Sequence, residues 1–339
     1  MRERLFYLDF VRAIAVILIL LTHFNAWFVF GVDVPQYDKC VITEFPFGIY
    51  IGDLGVSMFL IISGAALMYV YEEKLELVKF YKKRFLAIYP MFWMAYIVAV
   101  LPALGVWKSF GFDIPKWRIL LTVTGMDGYF SEYGSGFYVL GEWFLGFIVI
   151  FYVIFPLLKV CLKKNEVITW IAIIILYCIT VYFYDLEMSM SKCILIRLPE
   201  LCFGMTLVKH RFRIKFPIAL FALAVLCANA IVRPDFNSSI QTTYVGIAFF
   251  VLLVFLSYYT EYSPVKKVCA FLSKYSYAIF LVHHVAIQYI QSAFDLESVT
   301  VVKSYIIFFV CVAVIIPISI MLQTAEKGIM AKILPCKKQ

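Results

Sequence analysis

LDFVRAIAVILILLTHFNAW, residues 8–27, is a run of twenty residues in which only Asp9, Arg12, Thr22, His23 and Asn25 carry strongly polar side chains. At about 1.5 Å per residue, a helix of this length covers about 30 Å, the thickness of a bilayer's hydrocarbon core. Ala13 to Leu21 is continuously apolar, whereas a membrane barrel strand alternates apolar with polar at every second residue. The run therefore reads as a membrane-spanning helix. MRER ahead of it resembles the basic start of a signal peptide. Asp9 and Arg12 interrupt the apolar stretch and no small-residue cleavage site follows, so it is expected to stay as a first span.

Similar windows recur along the chain at roughly 6–29, 49–70, 87–107, 142–161, 167–184, 194–208, 216–232, 240–259, 274–293 and 302–323. The sixth is the weakest, being short and containing Arg197, Pro199 and Glu200. Composition agrees: 64% of the 339 residues are apolar or aromatic and 15% are charged, against about 45–50% and about 25% in a soluble domain. A water-soluble surface cannot be covered with so few charges. The expected fold is all-α, a polytopic integral membrane bundle of about ten transmembrane helices. No separate soluble domain is expected within residues 1–339.

The net charge of +8 does not point to nucleic acid, because the basic residues sit in short clusters between apolar runs. Counted over alternate connections, Lys and Arg divide 21 to 7, with Arg12 and Arg197 left inside spans. By the positive-inside rule both termini are expected to be cytoplasmic. The longest connection, about 108–141, is then external. Its Gly-rich and aromatic sequence GMDGYFSEYGSGFY is compatible with a lid over an outward-facing cavity or with a surface loop. The nine cysteines form no CxxC pair and lie mostly in apolar runs, so they read as small hydrophobes and no metal site is expected.

Ionisable groups inside a bilayer are costly, and each is a candidate for function. Arg12 and His23 are eleven residues apart, three helical turns plus about 20°, and so share one face at about 16 Å along the axis. Asp9 lies on the turn before Arg12. A neutral imidazole can take a proton from a hydroxyl, and a guanidinium can hold an anion or carbonyl. A snorkelling arginine and a packed histidine give the same pattern.

From residue 5 to about 290 the chain resembles, segment by segment and in order, the acyltransferase family 3 membrane proteins, which O-acylate envelope and exported glycans. Arg12 and His23 match that family's R-x10-H on its first helix. GVSMFLIISGAAL is similar to its second-helix segment ending in Ser63 and Gly64. FYKKRFLAIYPMFW is similar to its basic loop leading into Tyr89 and Pro90. EWFLGFIVIFYVIFPLL, RLPELCFGM and LSKYSYAIFLVHH resemble later segments in the family's order. Two departures stand out: Ala87 replaces a frequent second arginine, and Ile148 a frequent glutamate, with Glu142 as a nearby alternative.

The resemblance implies that His23 is the catalytic base or a transient acyl carrier and that Arg12 orients the thioester. It further implies that Arg84, with Lys82 and Lys83, meets the phosphates of acetyl-CoA or another acyl-CoA. Ser63, the pair Arg197 and Glu200, and His283 become cavity or structural residues. The implied protein is a multi-pass O-acetyltransferase of a prokaryotic plasma membrane. It would work among membrane lipid on a glycan acceptor, handled by the membrane domain itself or by a partner enzyme. The rival reading from another class is a transporter or lipid-linked sugar exporter, for which an inverted repeat would speak; none is visible in the sequence.

Overall fold

The computed structural model describes residues 4–106, 114–141 and 143–333, so Arg2, Lys108, Glu142, Lys337 and Lys338, which entered the reading above, lie outside the described residues. Among the described residues there are eleven α-helices and no strand. In chain order they are α1 (Phe6–Phe30), α2 (Ile51–Tyr71), α3 (Leu77–Val106), α4 (Ile119–Val123), α5 (Trp143–Lys164), α6 (Glu166–Tyr182), α7 (Ile194–Lys209), α8 (Phe216–Val232), α9 (Ser238–Ser257), α10 (Ser263–Gln291) and α11 (Val301–Ile333).

All but the five-residue α4 fall on the ten expected spans. Seven of them, α1, α2, α3, α5, α9, α10 and α11, are long and apolar enough to cross a membrane. The helices α6 and α8 are apolar but shorter, 17 residues each. Three boundaries differ from the sequence expectation: α3 starts at Leu77 rather than 87, α10 at Ser263 rather than 274, and α11 runs to Ile333 rather than 323. An apolar window registers only the hydrocarbon depth. A helix continues through the headgroup region, where Lys and Arg stems lie along it with their charges in water.

The chain divides into two compact units. The first comprises Met1–Leu75, Ile154–Leu186 and Cys193–Ser276. Its core is α1, α2, α7 and α9, with Val11, Ala15, Met58, Ile61, Val245 and Phe250 buried. α2 and α7 approach almost backbone to backbone: a Cβ on Gly64 would lie 3.0 Å from the Leu201 carbonyl carbon, and one on Gly204 2.9 Å from that of Ile61. Small residues allow such crossings between membrane helices. On α6 Val167, Ile168, Ile171, Ile174, Ile175 and Ile179 are all exposed, a face that only lipid would cover favourably.

The second unit comprises Glu76–Val153, Glu187–Lys192 and Tyr277–Gln339. Within it α3 packs on α11, and the Tyr277 hydroxyl donates to the Ile88 carbonyl at 3.0 Å. Phe144 sits 6.2 Å from Phe147 and 6.0 Å from Phe280, ring centre to ring centre.

Candidate active site

The N-terminal part of α1 holds a charged cluster. Asp9 is buried; its Oδ1 accepts from Ser273 Oγ at 2.6 Å, and its Oδ2 accepts from Arg4 Nε. Arg12 Nη1 donates to the same Ser273 hydroxyl at 2.8 Å and lies 3.8 Å from Asp9 Oδ1. Arg12 is thus half-buried, with its guanidinium oriented by a serine of α10 and a carboxylate one turn away on its own helix. A planar fork held in this way has a fixed orientation, which an ammonium on a flexible stem would not have.

Toward the other end of the same helix, His23 is half-buried, and the connection 31–50 folds back beside it. Asn25 clasps Val41, donating to its carbonyl at 3.2 Å and accepting from its N–H at 2.9 Å. Gln36 N donates to the Phe28 carbonyl at 2.7 Å. Thr22 Oγ1 donates to Glu44 Oε1 at 3.1 Å. Glu44 is 2% exposed although it lies outside any helix. Burial pushes its carboxyl up to about 7, against the opposing effect of the neighbouring Asn25 amide and Thr22 hydroxyl.

A second buried group links α2, α7 and α9. Arg197 Nε and Glu200 Oε2 lie 2.8 Å apart, one turn from each other on α7, and both are shut off from solvent. Arg197 Nη2 donates to Ser57 Oγ at 3.1 Å, and Ser57 donates to the Asp53 carbonyl at 2.9 Å. Gly246 on α9 leaves the room: a Cβ there would come within 2.7 Å of Ser57 Oγ and 3.2 Å of Glu200 Oε1. Ser63 instead donates to its own helix, at the Phe59 carbonyl 2.7 Å away.

The remaining candidates belong to the second unit. On α3, Lys82 and Lys83 are exposed, while the Arg84 guanidinium packs over Phe80 at 5.9 Å and Tyr152 at 5.6 Å. Three consecutive helical residues span about 200°, so the basic triad is split between the surface and an aromatic slot. His283 is 1% exposed. Its Nδ1 lies 2.8 Å from the Phe280 carbonyl and 3.2 Å from that of Ile279, which places the proton on Nδ1.

The connection 114–141 is built around Arg118, 3% exposed. Arg118 donates to the carbonyls of Ser135 at 2.5 Å, Phe130 at 3.0 Å and Gly134. Asp127 stands 4.0 Å from it and accepts from Thr122 at 3.1 Å. Glu132 accepts from Lys192 Nζ at 2.8 Å and from Ser189 N at 2.5 Å. An apolar groove of about 580 Å³ opens between α3 and this connection, lined by Phe92, Trp93, Tyr96, Ile119 and Phe137 among others. Among the described residues, no group of three or more His, Cys, Asp or Glu side chains is placed to hold a metal ion.

A family model described as an acyltransferase domain matches residues 5–323, nearly the whole chain. The chain belongs to acyltransferase family 3. No curated protein and no solved structure matches this acyltransferase. With its apolar helices, membership makes it a multi-pass membrane acyltransferase.

For such an enzyme the structure assembles three polar groups in the first unit and one around Arg118 in the second, with members that the sequence reading missed. Ser273 and Ser57 lie inside the quoted segments LSKYSYAIFLVHH and GVSMFLIISGAAL, but a serine there carries no signal of its partner. Glu44, Arg118 and Asp127 sit in connections, where charged residues are ordinarily solvated. Of the two departures from the family pattern, Ala87 is exposed on α3 and Ile148 is buried in α5. Glu142 lies outside the described residues.

Proposed function

We propose that this acyltransferase moves an acetyl group from cytoplasmic acetyl-CoA to a hydroxyl of an envelope or exported glycan, in the plasma membrane of a prokaryote. The observation that carries the reading is the arrangement on α1. An arginine oriented by Ser273 and Asp9 shares one helix with a half-buried imidazole that lies on the same face about 16 Å away along the axis. The 21 to 7 division of basic residues puts the termini and Arg12 on the cytoplasmic side, and His23 in the outer half of the membrane.

In this scheme Arg12 orients the thioester from the cytoplasmic side by holding an anionic group of the donor, and the thioester itself reaches the His23 end of the helix. Lys82, Lys83 and Arg84 offer charge to the CoA phosphates. As the acceptor oxygen attacks the thioester carbon, His23 takes its proton. The tetrahedral intermediate expels CoA as the thiolate, and the imidazolium returns the proton to that sulfur, so charge and protons balance. An acyl-imidazole on His23 is the two-step form of the same transfer. His283, already donating to backbone, and the pair Arg197 and Glu200 fit supporting roles.

The test is His23→Ala in purified, correctly inserted protein, assayed for acetyl-CoA hydrolysis and for O-acetyl content of the cell's glycans. A positioned base contributes about 10²- to 10⁴-fold, so nearly all transfer is expected to be lost. His23→Gln, which keeps size but cannot take the proton, is expected to be almost as inactive. Wild-type transfer by a well-folded His23→Ala protein refutes the mechanism and favours an exporter.

A further inference from the structure

Among the described residues, Glu44 is the buried carboxyl that the structure brings to the His23 end of α1 from a connection. Its side chain touches Thr22, the residue directly before His23. Consecutive Cα atoms are about 3.8 Å apart, and a helical step turns about 100°, so this carboxyl stands beside the imidazole-bearing turn. Its backbone is fixed as well, because the Glu44 carbonyl accepts from Ile51 N at 2.8 Å at the start of α2. Glu44 Oε2 is buried without a hydrogen-bond partner.

A strap alone does not call for an acid here. Asn25 already clasps both backbone groups of Val41 with neutral chemistry, and an amide at residue 44 would accept from Thr22 as well. A carboxyl with one oxygen unsatisfied costs desolvation free energy, a cost that proteins concentrate at functional sites. The titratable groups coupled to it are Cys40 on the same connection and Tyr50 just before α2; His23 follows its partner Thr22 on α1. All three are neutral when the imidazole is in its base form, so ionisation of Glu44 is the main local change of charge.

We propose that Glu44 is a positioning residue of the acyl-transfer site, holding the Thr22–His23 turn through the Thr22 hydroxyl and setting the basicity of His23 by its own charge. The proposal rests on the role of His23 given above. Ionised, the carboxylate favours the imidazolium and strengthens the base; protonated, it does not. Because burial carries the Glu44 carboxyl up to about 7, the change falls within the working range of an imidazole.

The experiment compares acetyl-CoA hydrolysis, read as thiol release, by wild-type and Glu44→Gln protein in proteoliposomes from about pH 5 to about pH 9. The wild type is expected to show two ionisations on the acid limb and Glu44→Gln one. At about pH 8 the Gln variant is expected to have a kcat about tenfold lower with the donor KM unchanged. A purely structural strap survives the change to Gln, since the hydrogen bond to Thr22 is kept. Superimposable profiles and kcat values overturn the proposal. Should Glu44→Gln fail to fold, Thr22→Val cuts the same link from the other side; a folded Thr22→Val protein is expected to lose kcat without a change in donor KM, and wild-type kcat there overturns the proposal equally. An active His23→Ala protein defeats the reading of His23 itself, whereas an inactive one beside an unchanged Glu44→Gln profile defeats only the role of Glu44.

Discussion

Adding one methyl group where α2 crosses α7 is expected to loosen the first unit. At Gly64 a Cβ would sit 3.0 Å from the carbonyl carbon of Leu201 and 3.3 Å from its Cα, with the carbonyl oxygen nearer still; at Gly204 it would meet the Ile61 carbonyl carbon at 2.9 Å and Ala65 N at 3.0 Å. Real Cβ contacts rarely fall below about 3.4 Å, so the helices must part by about an ångström to clear the carbonyl oxygens. The obstacle is main chain and cannot rotate away, which puts the overpacking cost near the upper end of its range, about 3 kcal/mol. Alanine returns about 1 kcal/mol of helix propensity over glycine, leaving about 2 kcal/mol. At about 2–4 °C per kcal/mol, Gly64→Ala and Gly204→Ala are each expected to lower Tm by about 4–8 °C. Because one separation relieves both clashes, the double variant is expected to fall short of the sum. The assay is heating of detergent-solubilised protein followed by the height of its monodisperse size-exclusion peak. Gly328→Ala on α11, where a Cβ meets nothing within 4 Å, is the control and is expected to keep or raise Tm. Wild-type Tm in both crossing variants refutes the close-packing argument.

Two further outcomes test the orientation and the donor site. Reporter fusions after Lys39, Ser131 and Arg233 are expected to read outside, and those after Lys79, Lys163 and Arg211 inside; one robust reversal breaks the topology. Replacing Arg84 and Lys83 by Gln is expected to raise the KM for acetyl-CoA with little change in that for the acceptor. Unaltered donor KM in inserted protein discards the phosphate contact.

The positions of the membrane helices were legible because a continuous apolar run has one economical structure in lipid, a helix whose backbone groups satisfy each other. Their ends were not, as α3, α10 and α11 show. The first turns of α3 carry Lys79, Lys82 and Lys83, which lower any hydropathy average without ending a helix. Within one element, geometry was readable: Arg197 and Glu200 are three residues apart, and they meet. Across elements it was not. Nothing in the chain says that Ser273 will stand between Asp9 and Arg12, or that a glutamate in TEFPFG will be folded under Thr22, because partners so distant in sequence are chosen by packing. The divergence of Arg84 from its lysine neighbours lies between these cases: helical rotation requires that they diverge, while the aromatic slot that receives Arg84 is tertiary.

The ionic pairs of α1 and α7 bear on how the chain enters the bilayer. Arg12 binds a serine that is 261 residues further along the chain, so at the moment α1 leaves the ribosome this partner does not exist. An arginine or aspartate at the centre of a span opposes insertion by about 2.5–3.5 kcal/mol, and one in the first two turns, like those of α1 and α7, opposes it by less. Yet Asp9 has Arg12 one turn ahead and Arg4 just behind, and Glu200 has Arg197 at the same spacing. Each helix therefore carries its own counterion through the translocon, and the contacts with other helices are made afterwards by exchange rather than by rescue of a bare charge.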